Sequence, residues 1–202
     1  MSKPQIYGMA QSRAARCLWA ARELGIDFEH VATDFKDGSK TPEFLKINPN
    51  GRIPALRDGD FTLFESLAIN TYLVKKYGAN SGLAPKTLED DARCQQWSLW
   101  AMTEVEKPLV TILLHEIGMA KVDDATFAKA TKDLQRPFKV LDGHLAQVGH
   151  DYLLGASFTL ADLNVASVLT WIRGTKLDMS AYPKLTDWLK RCTSRPAAKP
   201  PK

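Results

Sequence analysis

Cysteine is scarce in this chain, and its placement excludes the site classes that depend on it. The 202 residues contain three cysteines, Cys17, Cys94 and Cys192, an odd number with no two close together. There is no Cys-x-x-Cys pair, no zinc-binding spacing and no disulfide framework. The four histidines also lack metal-ligand spacing. We therefore expect reduced thiols, as in a cytosolic protein, and no metal site.

Long apolar runs and a dominant charge are missing as well. No stretch approaches the ~20 apolar residues that span a membrane, and residues 1–7 lack the apolar core of a signal peptide. The net charge is +4, with Lys and Arg spread along the whole chain. Such a weak excess suits an anionic small molecule better than nucleic acid. We expect a cytoplasmic protein with neither a nucleic-acid nor a membrane partner.

The first 78 residues mix strand and helix signals. A short strand precedes a helix that Ser12 opens and Gly25 closes, and a second strand follows, which is the order of a βαβ unit. A short helix beginning at Thr41, a hairpin around Asp58-Gly59-Asp60 and a helix capped by Ser66 come next. The pattern predicts an α/β domain over residues 1–78.

The remainder of the chain has only helical signals. Residues 79–87 contain Gly, Ser and Pro and are predicted to be a linker, and residues 88–202 form a predicted all-α bundle. The bundle's first helix is expected to be long, with a kink at Pro108. The proline-containing tail from Arg195 is expected to be frayed. In this half, one helix is predicted to start at Thr87, and three others are predicted to span Asp123–Gln147, 159–171 and 181–192.

The segment Asn48-Pro49-Asn50-Gly51-Arg52-Ile53-Pro54-Ala55-Leu56 combines a strong turn with a strand start. A proline cannot donate to a strand ladder, so Pro54 belongs at a sheet end. From base rates alone its peptide bond is expected to be trans, because only about 5–6% of X–Pro bonds in folded proteins are cis.

Three further segments carry recognisable chemistry. Phe64-Glu65-Ser66 marks a helix N-terminus, where free N–H groups attract anions. The run from Tyr7 to Arg16 places Ser12 at the mouth of the first helix. Thr159 and Asp162 form a capping-box pair, which we assign to folding.

Together, in order and over nearly the whole chain, these four segments resemble the glutathione transferase family. The closest resemblance is to the theta and phi classes and their bacterial relatives, which use a catalytic serine. It implies an N-terminal thioredoxin-like domain followed by a C-terminal helical bundle, a cis bond before Pro54, and glutathione as the substrate. Ile53 would then pair with the cysteinyl part of glutathione.

The resemblance also implies how the ends of glutathione are held. Ser66 would bind the γ-glutamyl carboxylate, and Glu65 would support the ammonium group. Lys40 matches a lysine that grips the glycyl carboxylate, although it also fits a solvated loop. Arg52 stands where lysine or glutamine is usual and would serve the same carboxylate by bidentate pairing.

Two hydroxyls compete for the role of thiol activator. Ser12 occupies the position of the theta and phi catalytic serine, whereas Tyr7 corresponds to the residue that other classes use near the end of the first strand. We prefer Ser12, since a hydroxyl at a helix mouth stabilises a thiolate. Tyr7 is then a core residue with a locally satisfied hydroxyl, and Cys17 a buried structural thiol.

The implied activity is conjugation of glutathione to electrophilic small molecules by a homodimer. The alternatives are a glutathione-dependent isomerase, dehalogenase or peroxidase, and a non-enzymatic glutathione-binding scaffold. Asn50 replaces an aromatic residue that several classes insert into the partner subunit, so that detail of the dimer stays open. The expected second-substrate pocket is lined by Met9, Ala10, Trp100, Thr103 and Glu104.

Overall fold

A computed structural model describes residues 3–199 of the chain. Outside this range lie Met1 and Ser2, which belong to the segment expected to lack a signal peptide. The last three residues of the proline-containing tail also lie outside it. The described chain forms two compact units, one of residues 3–84 with 196–199 and the other of Pro85–Arg195. In the described residues no helix is both long and apolar enough to cross a bilayer.

The first unit is built on a small mixed sheet with the strand order β2-β1-β3-β4. β1 pairs in parallel with β2 and antiparallel with β3, so that Ile6 lies opposite both His30 and Leu56. Ile6 and Leu56 are fully buried, which places the centre of the sheet in the core. The strands are β1 Gln5–Tyr7, β2 Glu29–Val31, β3 Ala55–Asp58 and β4 Phe61–Phe64.

Helix α1, Ala14–Glu23, makes the crossover that the parallel pair β1 and β2 requires. It packs against α3, Ser66–Tyr77, and Gly25 at φ 63° reverses the chain after it. The short helix α2, Pro42–Leu45, begins as predicted, because the Thr41 side chain accepts a hydrogen bond from the backbone N–H of Phe44. This unit has the thioredoxin-like arrangement of strands and helices that the resemblance implied.

The β3–β4 hairpin is fastened to α3 through one carboxylate. Asp58 Oδ2 accepts hydrogen bonds from Tyr72 Oη at 2.9 Å, Lys76 Nζ at 2.7 Å and Tyr77 Oη at 2.7 Å. Burial of Asp58 opposes its ionisation, but these donors outweigh burial and hold the pKa of the carboxyl below its usual value. The turn predicted at residues 58–60 is therefore also a cross-link between the hairpin and α3.

The second unit is built from helices, and within the described residues its β-structure is limited to one isolated bridge between Tyr152 and Gly155. Its helix Leu160–Leu169 is buried on every side, and Asp162 closes the predicted capping box with Thr159. Asp162 also accepts hydrogen bonds from the Leu153 N–H at 2.8 Å and Trp188 Nε1 at 2.9 Å. The helices are α4 Leu88–Trp100, α5 Lys107–Glu116, α6 Asp124–Val148, α7 Leu160–Leu169 and α8 Pro183–Thr193.

The expected long helix with a kink at Pro108 is instead two helices joined by a π-helical turn, Ala101–Glu106. Pro108 lies in the first turn of α5, directly after the π-helical turn, and its missing N–H cannot donate to a carbonyl of that preceding turn. Ala101 and Val105 in the turn are fully buried, so tertiary packing accompanies the widened helix.

The described part of the tail, which was expected to be frayed, packs on the first unit. A 3-10 turn, Pro196–Ala198, packs on α1, and Arg22 Nε donates a hydrogen bond to the Ala197 carbonyl at 2.8 Å. The tail thus contributes to the first unit, although the sequence analysis grouped it with the helical domain.

Candidate functional site

Ser12 lies in the loop between β1 and α1, two residues ahead of the helix that it was expected to open. Its Oγ donates a hydrogen bond to the Met9 carbonyl at 2.7 Å and accepts one from the Ala14 N–H at 3.1 Å. The side chain is half-buried. The hydroxyl therefore stabilises the tight turn before α1. It has a single proton, which it donates to the Met9 carbonyl, so a ligand acceptor would have to compete with that carbonyl for it.

Tyr7 lies in β1 with its ring on the hydrophobic cluster of Phe44, Ile47 and Ala55. The ring meets Phe44 edge to face, with centroids 6.0 Å apart. The phenolic oxygen donates a hydrogen bond to Gln5 Oε1 at 2.9 Å. Tyr7 thus has the features of a core residue whose hydroxyl is satisfied locally.

Cys17 is a buried thiol, as predicted. It is fully buried in α1, and its Sγ donates to the Ser66 carbonyl at 3.5 Å. Burial raises the pKa of the thiol well above its ordinary value, and the neighbouring Arg16 charge only partly opposes that rise. A thiol so placed is protonated at neutral pH and is a poor nucleophile.

The peptide bond between Ile53 and Pro54 is cis, as the resemblance implied and against the base rate. β3 begins at Ala55, just after this bond. The preceding turn is held by Asn48, which is 2% exposed and whose Nδ2 donates to the Arg52 carbonyl at 2.6 Å. Ile53 therefore lies between this turn and the start of β3.

Lys40 is brought to the same turn from a distant part of the sequence. It ends a 3-10 helix, Gly38–Lys40, and its Nζ donates a hydrogen bond to the Gly51 carbonyl. Gly51 has φ 58°, and a Cβ on it would lie 2.9 Å from Lys40 Nζ, so the contact depends on glycine. Arg52 follows directly and is exposed. Lys40 thus reaches the turn from which Arg52 and Ile53 follow.

The start of α3 has an unusual backbone. Glu65 has φ 72° and ψ 112°, and it is the only non-glycine residue with positive φ among residues 3–199. Such a conformation is costly for a residue with a Cβ and is concentrated at functional sites. Ser66 is consequently the first helical residue rather than the predicted cap. It is 3% exposed, and its Oγ accepts a hydrogen bond from Arg16 Nη1 at 3.3 Å.

The residues predicted to line a second pocket fall into both units. Met9 and Ala10 belong to the loop after β1. Trp100 ends α4, where its ring meets Trp97 edge to face at 5.1 Å. Thr103 and Glu104 are exposed residues of the π-helical turn. Their shared role stays a prediction.

No cluster suited to a metal ion, meaning three or more His, Cys, Asp or Glu side chains, occurs in the part of the chain that the structure describes.

Comparison with known proteins identifies the family. Residues 3–75 match the glutathione S-transferase N-terminal domain, and residues 101–196 match the C-terminal domain. The chain is 36% identical to glutathione S-transferase 3 of Zea mays over 210 aligned residues, which cover 98% of this chain and 92% of the relative. This chain belongs to the glutathione S-transferase family.

Two solved glutathione S-transferases have the same fold as this family member. One is glutathione S-transferase-I bound with lactoylglutathione, at a TM-score of 0.86 and 30% identity, covering 98% of this chain and 97% of that chain. The other is a theta class enzyme from the citrus canker pathogen Xanthomonas axonopodis pv. citri with glutathione bound. Its TM-score is 0.88 at 27% identity, and the match covers 98% of this chain and 96% of that chain.

Sequence reasoning missed two features of this transferase's candidate site. Asp34 accepts hydrogen bonds from the N–H groups of Lys36, Asp37 and Gly38, which shapes the loop leading to Lys40 and lowers the pKa of its carboxyl. The turn-forming residues after Asp34 were the available signal. The contact of Arg16 with Ser66 is the second, and nothing local in the sequence indicates it.

Proposed function

We propose that this transferase conjugates the thiol of reduced glutathione to electrophilic small molecules, the reaction of EC 2.5.1.18. The observation that supports this best is the start of α3, where the Glu65 backbone at positive φ precedes the buried Ser66 hydroxyl. This start provides a helix N-terminus for an anion, and Ile53 in the same unit provides strand-like backbone groups for a peptide.

Glutathione lies along these groups in an extended form. The Ile53 backbone pairs with its cysteinyl residue, and Ser66 with the first N–H groups of α3 binds the γ-glutamyl carboxylate. Glu65, which is exposed, receives the ammonium group. Lys40 and Arg52, both exposed beside the Asn48–Arg52 turn, hold the glycyl carboxylate.

Ser12 activates the thiol, which makes this a serine-type enzyme of theta or phi character. A free cysteine thiol has a pKa of about 8.5, and lowering it by about two units requires about 2.7 kcal/mol. A hydrogen bond from the Ser12 hydroxyl to the thiolate, together with the positive end of α1, accounts for an effect of this size. Tyr7, whose hydroxyl already donates to Gln5, is the weaker candidate.

The reaction then needs only a correctly placed electrophile. The thiolate sulfur forms a bond to an electrophilic carbon, and the displaced electron pair leaves with a leaving group or is protonated on the acceptor. Met9, Ala10, Trp100, Thr103 and Glu104 line the pocket for this second substrate. The enzyme acts in the cytoplasm as a homodimer. Its glutathione-binding domain corresponds to the first compact unit, and its helical domain to the second, Pro85–Arg195.

Calorimetry with reduced glutathione tests the proposal, followed by turnover with a panel of aryl halides and epoxides. We expect binding between micromolar and millimolar, about −8 to −4 kcal/mol, and conjugate formation with at least one electrophile. No binding at about ten millimolar glutathione, roughly −2.7 kcal/mol, excludes the enzyme. Binding without any conjugate would favour a glutathione-binding scaffold.

A further inference from the structure

Arg16 is a buried cation that the proposed reaction leaves without a role. It lies in the first turn of α1 and is only 2% exposed. Its Nη1 donates a hydrogen bond to Ser66 Oγ at 3.3 Å, across a separation of 50 positions in the sequence. Moving a guanidinium out of water is costly, so its place against the start of α3 calls for a reason.

The direction of this hydrogen bond determines what the Ser66 hydroxyl can do. A guanidinium has only donors, so Ser66 Oγ is the acceptor, and its own proton is not used by Arg16. That proton remains for a ligand acceptor. Ser66 is also the first residue of α3, where the free N–H groups and the helix dipole favour an anion.

The charge of Arg16 acts on the same place. Cys17 Sγ contacts the Ser66 carbonyl at 3.5 Å, and the Arg16 charge lowers the pKa of this thiol against the larger effect of burial. The guanidinium is thus close enough to influence a titrating group that touches Ser66. A carboxylate bound at Ser66 would gain from the same charge, since little water screens it.

We propose that Arg16 is a positioning residue for the γ-glutamyl carboxylate of glutathione: it orients the Ser66 hydroxyl toward that carboxylate and places a positive charge behind it. This rests on the proposed function, which puts the carboxylate at Ser66. Helix α1 then serves both parts of the ligand, because Ser12 ahead of the helix serves the thiol and Arg16 in its first turn serves the carboxylate.

The test compares two peptides that differ only at this carboxylate: reduced glutathione and 4-aminobutyryl-cysteinyl-glycine, which lacks it. Their dissociation constants are measured by calorimetry for the wild type, Arg16→Gln, Arg16→Lys and Ser66→Ala. We expect Arg16→Gln to weaken glutathione binding by at least about tenfold. The analogue should change by no more than about twofold. Arg16→Lys keeps the charge but not the planar fork, so its effect should be intermediate.

Arg22→Gln is the matched control on the same helix. Arg22 is half-buried and donates to the Ala197 carbonyl, far along α1 from Ser66. Its loss should leave the ratio of the two dissociation constants unchanged.

Each outcome bears on a different part of the proposal. If the wild type does not distinguish the peptides, the carboxylate assignment fails and the role of Arg16 fails with it. If the wild type prefers glutathione and the Arg16 variants keep the same ratio, only the role of Arg16 is wrong. Equal weakening of both peptides is the result of a purely structural role and also contradicts it.

A second comparison decides the question if Arg16→Gln does not fold, as judged by circular dichroism. Arg16→Lys is measured in the Ser66→Ala background. If Arg16 acts through Ser66, adding Arg16→Lys to Ser66→Ala should alter the ratio of the dissociation constants of the two peptides by less than about twofold. If Arg16→Lys changes this ratio in the Ser66→Ala background as much as it does in the wild-type background, the two residues act independently and the proposal is overturned.

Discussion

At the scale of single residues, the chemistry depends on which hydroxyl is free to donate to the sulfur of glutathione. Ser12 Oγ donates to the Met9 carbonyl at 2.7 Å, and a charged thiolate competes well against a neutral carbonyl for that proton. The hydroxyl of Tyr7 donates to Gln5 Oε1, and its ring packs on the hydrophobic cluster. The local hydrogen bonds therefore favour Ser12 as the activating residue.

Tyr7→Phe and Cys17→Ala should leave the chemical step almost unchanged. Tyr7→Phe removes one hydrogen bond to Gln5, at a cost of about 1 kcal/mol of stability. Cys17→Ala leaves a small void in α1 and should cost about 1–2 kcal/mol. Turnover should stay within about threefold of the wild type for both, while urea denaturation reports the losses in stability. A tenfold fall in turnover for Tyr7→Phe at saturating substrates would transfer the activating role to that residue.

At the scale of secondary-structure elements, the first unit depends on a fastening between the hairpin and α3. Asp58 Oδ2 accepts from two tyrosine hydroxyls and from Lys76, and the side chain is almost fully buried. A carboxylate with these donors is more acidic folded than unfolded. It therefore stabilises the folded state above its unfolded pKa of about 3.9, and this contribution is lost as the pH falls through the lower folded pKa.

Asp58→Asn should reduce the free energy of unfolding by about 2–3 kcal/mol at neutral pH, because charge-assisted hydrogen bonds are replaced by neutral ones. The difference from the wild type should be constant above about pH 5 and shrink as the pH falls below about 4. Urea denaturation across this range measures it. Asp60→Asn, an exposed change in the same turn, is the control. A difference that grows on acidification would contradict this account of Asp58.

Elements with local signals were predicted well from the sequence. The Asp58-Gly59-Asp60 hairpin turn, the Thr41 cap of α2, the start of α6 at Asp123 and the capping box of α7 all appear in the structure. Each depends on residues within a few positions of one another, so a single sequence contains the necessary information.

Features that depend on distant contacts were missed or misplaced. Ser66 is not a cap because Glu65 before it takes a positive φ, which no residue type there signals. Pro108 signals a distortion of the long helix, but nothing in the sequence indicates that it takes the form of a π-helical turn over Ala101–Glu106. The packing of Pro196–Ala198 on α1 likewise depends on a distant contact. Arg16 meets Ser66 only after α1 and α3 have packed together. The glutathione-binding residues were predicted from the resemblance, and that assignment stays a prediction, because local patterns alone do not provide it.

At the scale of the whole molecule, the chain matches both domains of the glutathione S-transferase family, residues 3–75 and 101–196. The first unit supplies every residue proposed to hold glutathione. The chain has a small excess of Lys and Arg over Asp and Glu, with a net charge of +4, which suits a peptide with two carboxylates.

We expect the purified protein to be a homodimer. Light scattering at low micromolar concentration should give twice the 22.5 kDa mass of the chain. Several classes insert an aromatic residue from this position into the partner subunit, and Asn50 has no such side chain. Asn50→Ala should therefore leave the mass of the dimer unchanged. A wild-type mass equal to one chain would contradict the dimer.

The most direct test of the central claim is the pKa of the thiol of bound glutathione, followed by ultraviolet absorbance of the thiolate as the pH is raised. For the wild type we expect about 6.5, two units below a free cysteine thiol. Ser12→Ala should raise this value by about one to two units and slow turnover about ten- to a hundredfold. A bound thiol that titrates near 8.5 in the wild type, or one whose pKa is the same in Ser12→Ala, would contradict the account.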